Sequence, residues 1–193
     1  MIRSRLATLA LRAAGWKFET PRPSLKKYVC IAAPHTSNWD GVLLLAVSEA
    51  IELPMAFMIK DDWVKGPQAP LMKRLGAIAI NRSRHTNIVD QMVEEFARRD
   101  ELVLVIPPEG TRSRTEHWKS GFYHIARGAN VPVVPGYLDF ARKRAGLGDP
   151  ITLTGDVRAD MDKIRAFYAG LAPAGFDPDA FGPIRLREEE PKA

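Results

Sequence analysis

The sequence predicts an α/β protein with a mostly parallel central sheet, helices on both of its faces, and a single domain. Three observations lead to that class. Short apolar runs rich in β-branched residues, at 28–33, 55–59, 77–80, 102–106 and 131–138, alternate with stretches of helical periodicity. Such runs read as buried strands, and strands alternating with helices imply parallel pairing under helical cover. The chain has 193 residues, 46% of them hydrophobic, which is enough for one substantial core.

Taken in order, residues 1–14 read as a short helix with Ile2, Leu6, Leu9, Ala10 and Ala13 spaced three and four apart. Arg3, Arg5 and Arg12 interrupt that face, and Trp16 and Phe18 follow. The formal net charge of +5 is concentrated here: residues 1–27 carry seven basic side chains against Glu19 alone, whereas the remainder holds 21 basic and 22 acidic residues. The basicity therefore belongs to the N-terminal segment. It argues against nucleic-acid binding by the domain and for an anionic membrane surface, on which the helix would lie with its apolar side down. The competing reading packs this helix on its own domain with its arginines in water. Residues 1–24 are expected to form this docking segment and its linker, 25–171 the domain, and 172–193 a loosely packed tail with four prolines and Glu188-Glu189-Glu190.

Within the domain, a strand at 28–33 is followed by a polar turn and a helix reaching about residue 52, where Pro54 limits it. A second strand at 55–59 leads through a polar break to a short helix at 70–75, closed by Gly76. The strand at 77–80 delivers Arg82, and a helix from about 86 to 99 turns Ile88, Met92, Val93 and Phe96 inward. The run at 102–106 precedes a polar loop. A helix from about 118 to 127 then stops at Gly128. The prolines of the strand at 131–138 suggest an edge or a bulge. Arg142-Lys143-Arg144 reads as a solvated loop, residues 151–154 as a last strand, and 156–168 as the final helix. Cys30, the single cysteine, excludes an internal disulfide framework and reads as a buried, inert thiol. No run approaches the roughly 18 apolar residues that span a bilayer, and no signal-peptide pattern is present. The expected location is the cytoplasmic side, peripheral on a membrane.

The stretch that carries chemistry is Pro34-His35-Thr36-Ser37-Asn38-Trp39-Asp40, between the first strand and its helix. That places His35 at the carboxyl end of a strand, where open α/β sheets put their sites. On one continuous helix, residues five apart would point about 140° apart. His35 and Asp40 meet only if the histidine lies in the turn and the aspartate in the first helical turn. Asp40 could then hold one imidazole nitrogen and leave the other as a base. The plainer reading is that Ser37 and Asp40 form a capping box. The two are compatible, because a helix N-terminus favours an ionised carboxylate.

A second loop, Pro107-Pro108-Glu109-Gly110-Thr111-Arg112, follows the strand at 102–106. Together, His35-x4-Asp40 and Glu109-Gly110-Thr111-Arg112 resemble the glycerolipid acyltransferase family, in particular its 1-acylglycerol-3-phosphate acyltransferases. Two more blocks stand in the family's order: Gly76-Ala77-Ile78-Ala79-Ile80-Asn81-Arg82, and the proline-bracketed Val131-Pro132-Val133-Val134-Pro135. The resemblance runs from about residue 28 to 140. It implies acyl transfer from a thioester, acyl-CoA or acyl-carrier protein, to a hydroxyl of a lysophosphatidic-acid-like acceptor. No other cofactor and no metal is implied.

On that resemblance His35 is the general base and Asp40 its orienter. Arg82 and Arg112 are the phosphate ligands, since a guanidinium grips two oxygens at once. Glu109 holds an arginine or the loop, Gly110 permits a tight backbone, Thr111 supplies a hydroxyl, and Lys119 lies near phosphate. The plain alternative for each cation is a solvated loop side chain. With no G-x-S-x-G elbow, direct attack by the acceptor is expected rather than an acyl-enzyme. His85, His117 and His124 lack a metal-ligand spacing. The third block departs from the common pattern, with a second proline where an aromatic is frequent, which bears on acceptor and acyl preference. Two other functions remain open: acylation of a different lipid or glycolipid hydroxyl, and non-catalytic binding of anionic lipid or nucleic acid.

Overall fold

A computed structural model describes residues 2–19, 23–80 and 88–190. Among these residues seven strands form one sheet in the order β1-β7-β6-β2-β5-β3-β4. In chain order they are β1 (Lys17–Phe18), β2 (Lys27–Ala32), β3 (Met55–Lys60), β4 (Ala77–Ile80), β5 (Leu102–Ile106), β6 (Val133–Asp139) and β7 (Arg144–Leu147). The helices are α1 (Ile2–Ala13), α2 (Asn38–Ala50), α3 (Ala69–Arg74), α4 (Ile88–Arg98), α5 (Gly121–Ala129) and α6 (Val157–Leu171). Strands β2 to β6 pair in parallel, β6 with β7 antiparallel, and β1 with β7 parallel. The mostly parallel α/β class expected from the sequence is the one observed.

Side chains alternate across the sheet, and the two core layers follow from that period of two. Val29, Ile31, Leu102, Leu104 and Ile106 meet Met92 and Phe96 of α4, Phe122 and Ile125 of α5, and Ile164 of α6. The intervening Tyr28, Cys30, Val103 and Val105 face the other way, beneath Leu44 and Leu45 of α2. Helix α1 lies outside α2: Leu11 and Trp16 are buried in a third cluster with Val47, and Ser4 Oγ donates to Glu52 Oε1 at 2.8 Å. Residues 2–19 are thus packed into the domain rather than set apart from it, while Leu6 and Leu9 of α1 stay 61% and 66% exposed.

Five expectations are corrected. Strand β6 is not an edge; it lies between β7 and β2. Its Pro135 is tolerated because the N–H it lacks would face β7 just past the end of the β6–β7 ladder, where its carbonyl still accepts from Gly148 N–H at 2.7 Å. Residues 151–154 accordingly contribute only that bridge, and the basic run around Arg144 supplies strand β7. Helix α5 continues through Gly128 and stops at Asn130, in the left-handed region at φ 52°. The tail from Ala172 is not loose over the described residues 172–190. Leu186 is fully buried against Trp118, and Trp118 N–H donates to the Arg185 carbonyl at 2.8 Å. Proline-rich composition reflects a segment whose regular structure among the described residues is two short 3-10 turns, not one without packing. Among the described residues no helix is long and apolar enough to cross a membrane.

Candidate active site

The site forms at the carboxyl end of β2, flanked by β5 and β6. Ser37 caps α2: its hydroxyl accepts from Trp39 N–H at 2.8 Å, and Asp40 Oδ2 accepts from Ser37 N–H at 2.8 Å. The capping box and the histidine contact coexist. The same Oδ2 accepts from Thr36 N–H at 2.6 Å and lies 3.2 Å from His35 Nδ1. Asp40 is 3% exposed and the His35 side chain 26%, so the carboxylate is shielded while the ring reaches solvent. Three contacts converge on one carboxylate oxygen and orient the ring through its Nδ1 side. An imidazole held through one nitrogen can act as a base through the other.

Glu109 enters from the loop after β5 and holds the same histidine from behind. Its Oε1 accepts from His35 N–H at 3.0 Å, and the side chain is buried. Burial pushes its carboxyl up to about 7, against the pull of that hydrogen bond. Neither Asp40 Oδ1 nor Glu109 Oε2 has a hydrogen-bond partner among the described residues. Gly110 follows at φ +66°, where a Cβ would meet Lys119 Cγ at 2.9 Å, so the turn and the lysine stem packed over it both require glycine. Lys119 N–H donates to the Pro108 carbonyl at 2.7 Å, and its side chain is exposed.

Thr111 Oγ1 accepts from Ser113 N–H at 3.2 Å, a local turn contact. Arg112 crosses to the histidine turn and donates to Asn38 Oδ1. The structure therefore brings together His35, Asp40, Glu109 and Arg112. It leaves Thr111 and Lys119 on the loop without a contact to the histidine. Arg82 and His85 lie outside the described residues; β4, which precedes Arg82, runs parallel to β2 and ends at the same edge. His117 and His124 pair instead with Glu190 at 2.6 Å and Glu188 at 3.8 Å. Burial of Cys30 pushes its thiol up to about 12, which leaves it un-ionised.

His35 and Asn38 also line a cavity of about 800 Å³ between α2 and the sheet. Val42 and Trp63, both exposed, line it as well and mark its mouth. The lining continues to Leu53 and Met55. Met55 pairs with Val103 and is thereby level with Tyr28, four strand residues below Ala32, or about 13 Å at the usual rise. The walls are overwhelmingly apolar, with small residues at Ala32, Gly136 and Gly146. Sequence reasoning missed this cavity, and it missed Asn38 as the partner of Arg112. The run of small residues opposite α2 was the available signal.

Residues 17–139 match the family model described as Acyltransferase. The crystal structure of the 1-acyl-sn-glycerophosphate (LPA) acyltransferase PlsC from Thermotoga maritima is similar in fold. The TM-score is 0.64 at 15% identity, over 88% of this chain and 77% of that one. No curated protein matches the chain.

Proposed function

The chain belongs to the acyltransferase family, and on that premise we propose that it moves an acyl group from a thioester, acyl-CoA or acyl-carrier protein, to a hydroxyl of a lysophosphatidic-acid-like acceptor. One observation carries the reading: an imidazole oriented by a buried carboxylate lines a deep apolar cavity. The acyl chain of a lipid substrate fits such a cavity, because burying each methylene contributes about 0.8 kcal/mol. His35 takes the proton of the acceptor hydroxyl as its oxygen attacks the thioester carbonyl. The carbon–sulfur bond then breaks, and the imidazolium returns the proton to the departing thiolate. Asp40, held against the Nδ1 side of the ring, stabilises the imidazolium. Among the described residues Arg112 is held by a neutral amide, which it can exchange for a phosphate. That the cited acyltransferase from Thermotoga maritima acts on LPA supports this acceptor for the present chain.

The acceptor is a membrane lipid, so the enzyme works at a membrane surface. The basic N-terminal segment and the outward Leu6 and Leu9 support peripheral docking there.

The test uses the full chain, vesicles carrying either a lysophosphatidic acid or the matching monoacylglycerol, and both kinds of thioester donor, with products read by lipid mass analysis. His35→Ala should lose at least roughly two decades of turnover. Arg112→Lys keeps the charge but loses the two-pronged grip, and should lower use of the phosphorylated acceptor by about ten- to a hundredfold. If His35→Ala turns over normally, the base is misassigned. If the wild type treats both acceptors alike and Arg112→Lys changes nothing, the acceptor is a neutral hydroxyl.

A further inference from the structure

The segment after α6 runs across the catalytic edge and touches both loops of the site. At one end, Asp177 N–H donates to Thr36 Oγ1 at 3.1 Å, and Gly175 packs so closely that a Cβ there would stand 2.6 Å from the same oxygen. Thr36 is itself buried, and its N–H makes the 2.6 Å bond to Asp40 Oδ2. At the other end, Arg114 donates to the Phe181 carbonyl at 2.8 Å, Gly182 abuts the Thr115 carbonyl, and Leu186 is buried beside Trp118. The residue after Trp118 is Lys119, whose N–H holds the Pro108 carbonyl next to Glu109. A single strap therefore grips the turn that carries His35 and Asp40 and the loop that carries Glu109 and Arg112.

We propose that residues 173–190 are a positioning element of the catalytic site, acting through Thr36 on the Asp40–His35 pair. The proposal rests on the reading of His35 as base and Asp40 as its orienter. Nothing in the match to the acyltransferase family, which ends at residue 139, includes this segment. The geometry points to position rather than to substrate contact. Among the described residues, the strap reaches the dyad by way of the Thr36 hydroxyl and backbone. It presents glycine where any side chain would drive Thr36 away from Asp40. Three further contacts hold the strap against the fold. Phe140 N–H donates to the Ala174 carbonyl at 2.9 Å, Phe176 stacks edge-on against Phe140 at 5.5 Å, and Arg165 pairs with Glu189 at 2.7 Å. Both partners, Phe140 and Arg165, lie outside the loops that carry the chemistry, so the strap transfers the rigidity of the sheet end and of α6 to the turn.

Thr36→Val keeps the shape but removes the acceptor for Asp177 N–H, and Thr36→Ser keeps that acceptor. Steady-state kinetics of both with the full chain, alongside thermal midpoints, decide the matter. Thr36→Val should lower kcat by roughly three- to tenfold, the scale of one lost hydrogen bond, and leave both KM values unchanged. Thr36→Ser should retain the wild-type kcat. Leu186→Ala, which loosens the far anchor, should lower kcat in the same sense at temperatures well below its own midpoint. A wild-type kcat in Thr36→Val, an equal loss in Thr36→Ser, or a loss confined to KM each overturns the proposal. Failure of the base assignment reads differently, as full turnover in His35→Ala.

Discussion

Asp40 and Glu109 are two buried carboxyls within reach of one histidine, and their surroundings give them different work. Asp40 accepts two backbone amides and faces the ring; Glu109 accepts from His35 N–H through Oε1 and keeps Oε2 unbonded among the described residues. Burial raises the Glu109 carboxyl from an ordinary 4.5 to about 7. The folded state therefore holds this proton more tightly than the unfolded chain does. The stability it contributes is present below pH 4.5 and is lost as pH rises through about 7. Above that, folding with an ionised Glu109 costs on the order of 3 kcal/mol. Glu109→Gln still offers a carbonyl oxygen to His35 N–H but no charge. Its thermal midpoint should exceed the wild type's at pH 8.5 and draw level near pH 4. A difference that does not vary with pH would mean that the proton on Glu109 has no part in stability.

At the scale of elements, α1 is the one whose sequence pattern served two purposes. Leu11 turns inward with Trp16 and Val47, and Thr8 Oγ1 donates to the Ala50 carbonyl at 3.3 Å, so one side of the helix belongs to the core. Leu6 and Leu9, three apart, point outward. Removing the whole segment would uncover α2, which makes truncation a poor probe of docking. Leu6→Glu with Leu9→Glu is cleaner, because both side chains already stand in water. The thermal midpoint should stay the same, while partition onto anionic vesicles falls at least roughly tenfold, given about 1.5–3 kcal/mol for each leucine buried. Sedimentation with vesicles measures this. Unchanged partition would move the docking surface from α1 to the rim of the cavity.

Across the whole molecule, four of the exposed apolar side chains stand on the elements that supply the cavity mouth. Trp39 and Val42 are one turn apart on α2; Trp63 lies before α3, which carries Leu71; all four are exposed. Val42 and Trp63 also line the cavity, so a lipid could pass from a bilayer into it without crossing water. Indole rings favour the depth of the headgroups, where an apolar body and a polar N–H are both accommodated. Trp39→Ala with Leu71→Ala touches neither the dyad nor the cavity wall. It should slow acylation of an acceptor held in vesicles several-fold, by roughly the loss of one anchoring side chain. The rate on acceptor dispersed in detergent should be preserved. Equal slowing in both assays would place these residues in catalysis or folding instead.

What the sequence determined by itself is what neighbouring residues settle among themselves. Runs of β-branched residues dictate strands, and their alternation with helical periodicity dictates a parallel sheet under two helical layers. The spacing from His35 to Asp40 places a ring and a carboxylate together because a strand, a turn and a capped helix leave them little choice; Ser37 fixes the helix start locally. The tertiary structure decided everything that depends on distant parts of the chain. Only the strand order shows that β6, despite its prolines, lies inside the sheet, since an edge is defined by what pairs and not by composition. Arg112 finds Asn38 across 74 residues, Glu109 finds the His35 backbone across the same interval, and Asp177 finds Thr36 across 141. The cavity, too, arises only where α2 stands off from strands that the chain supplies one at a time. Periodicity tells which way a side chain faces. What it then meets is set by the packing of the complete sheet and its helices.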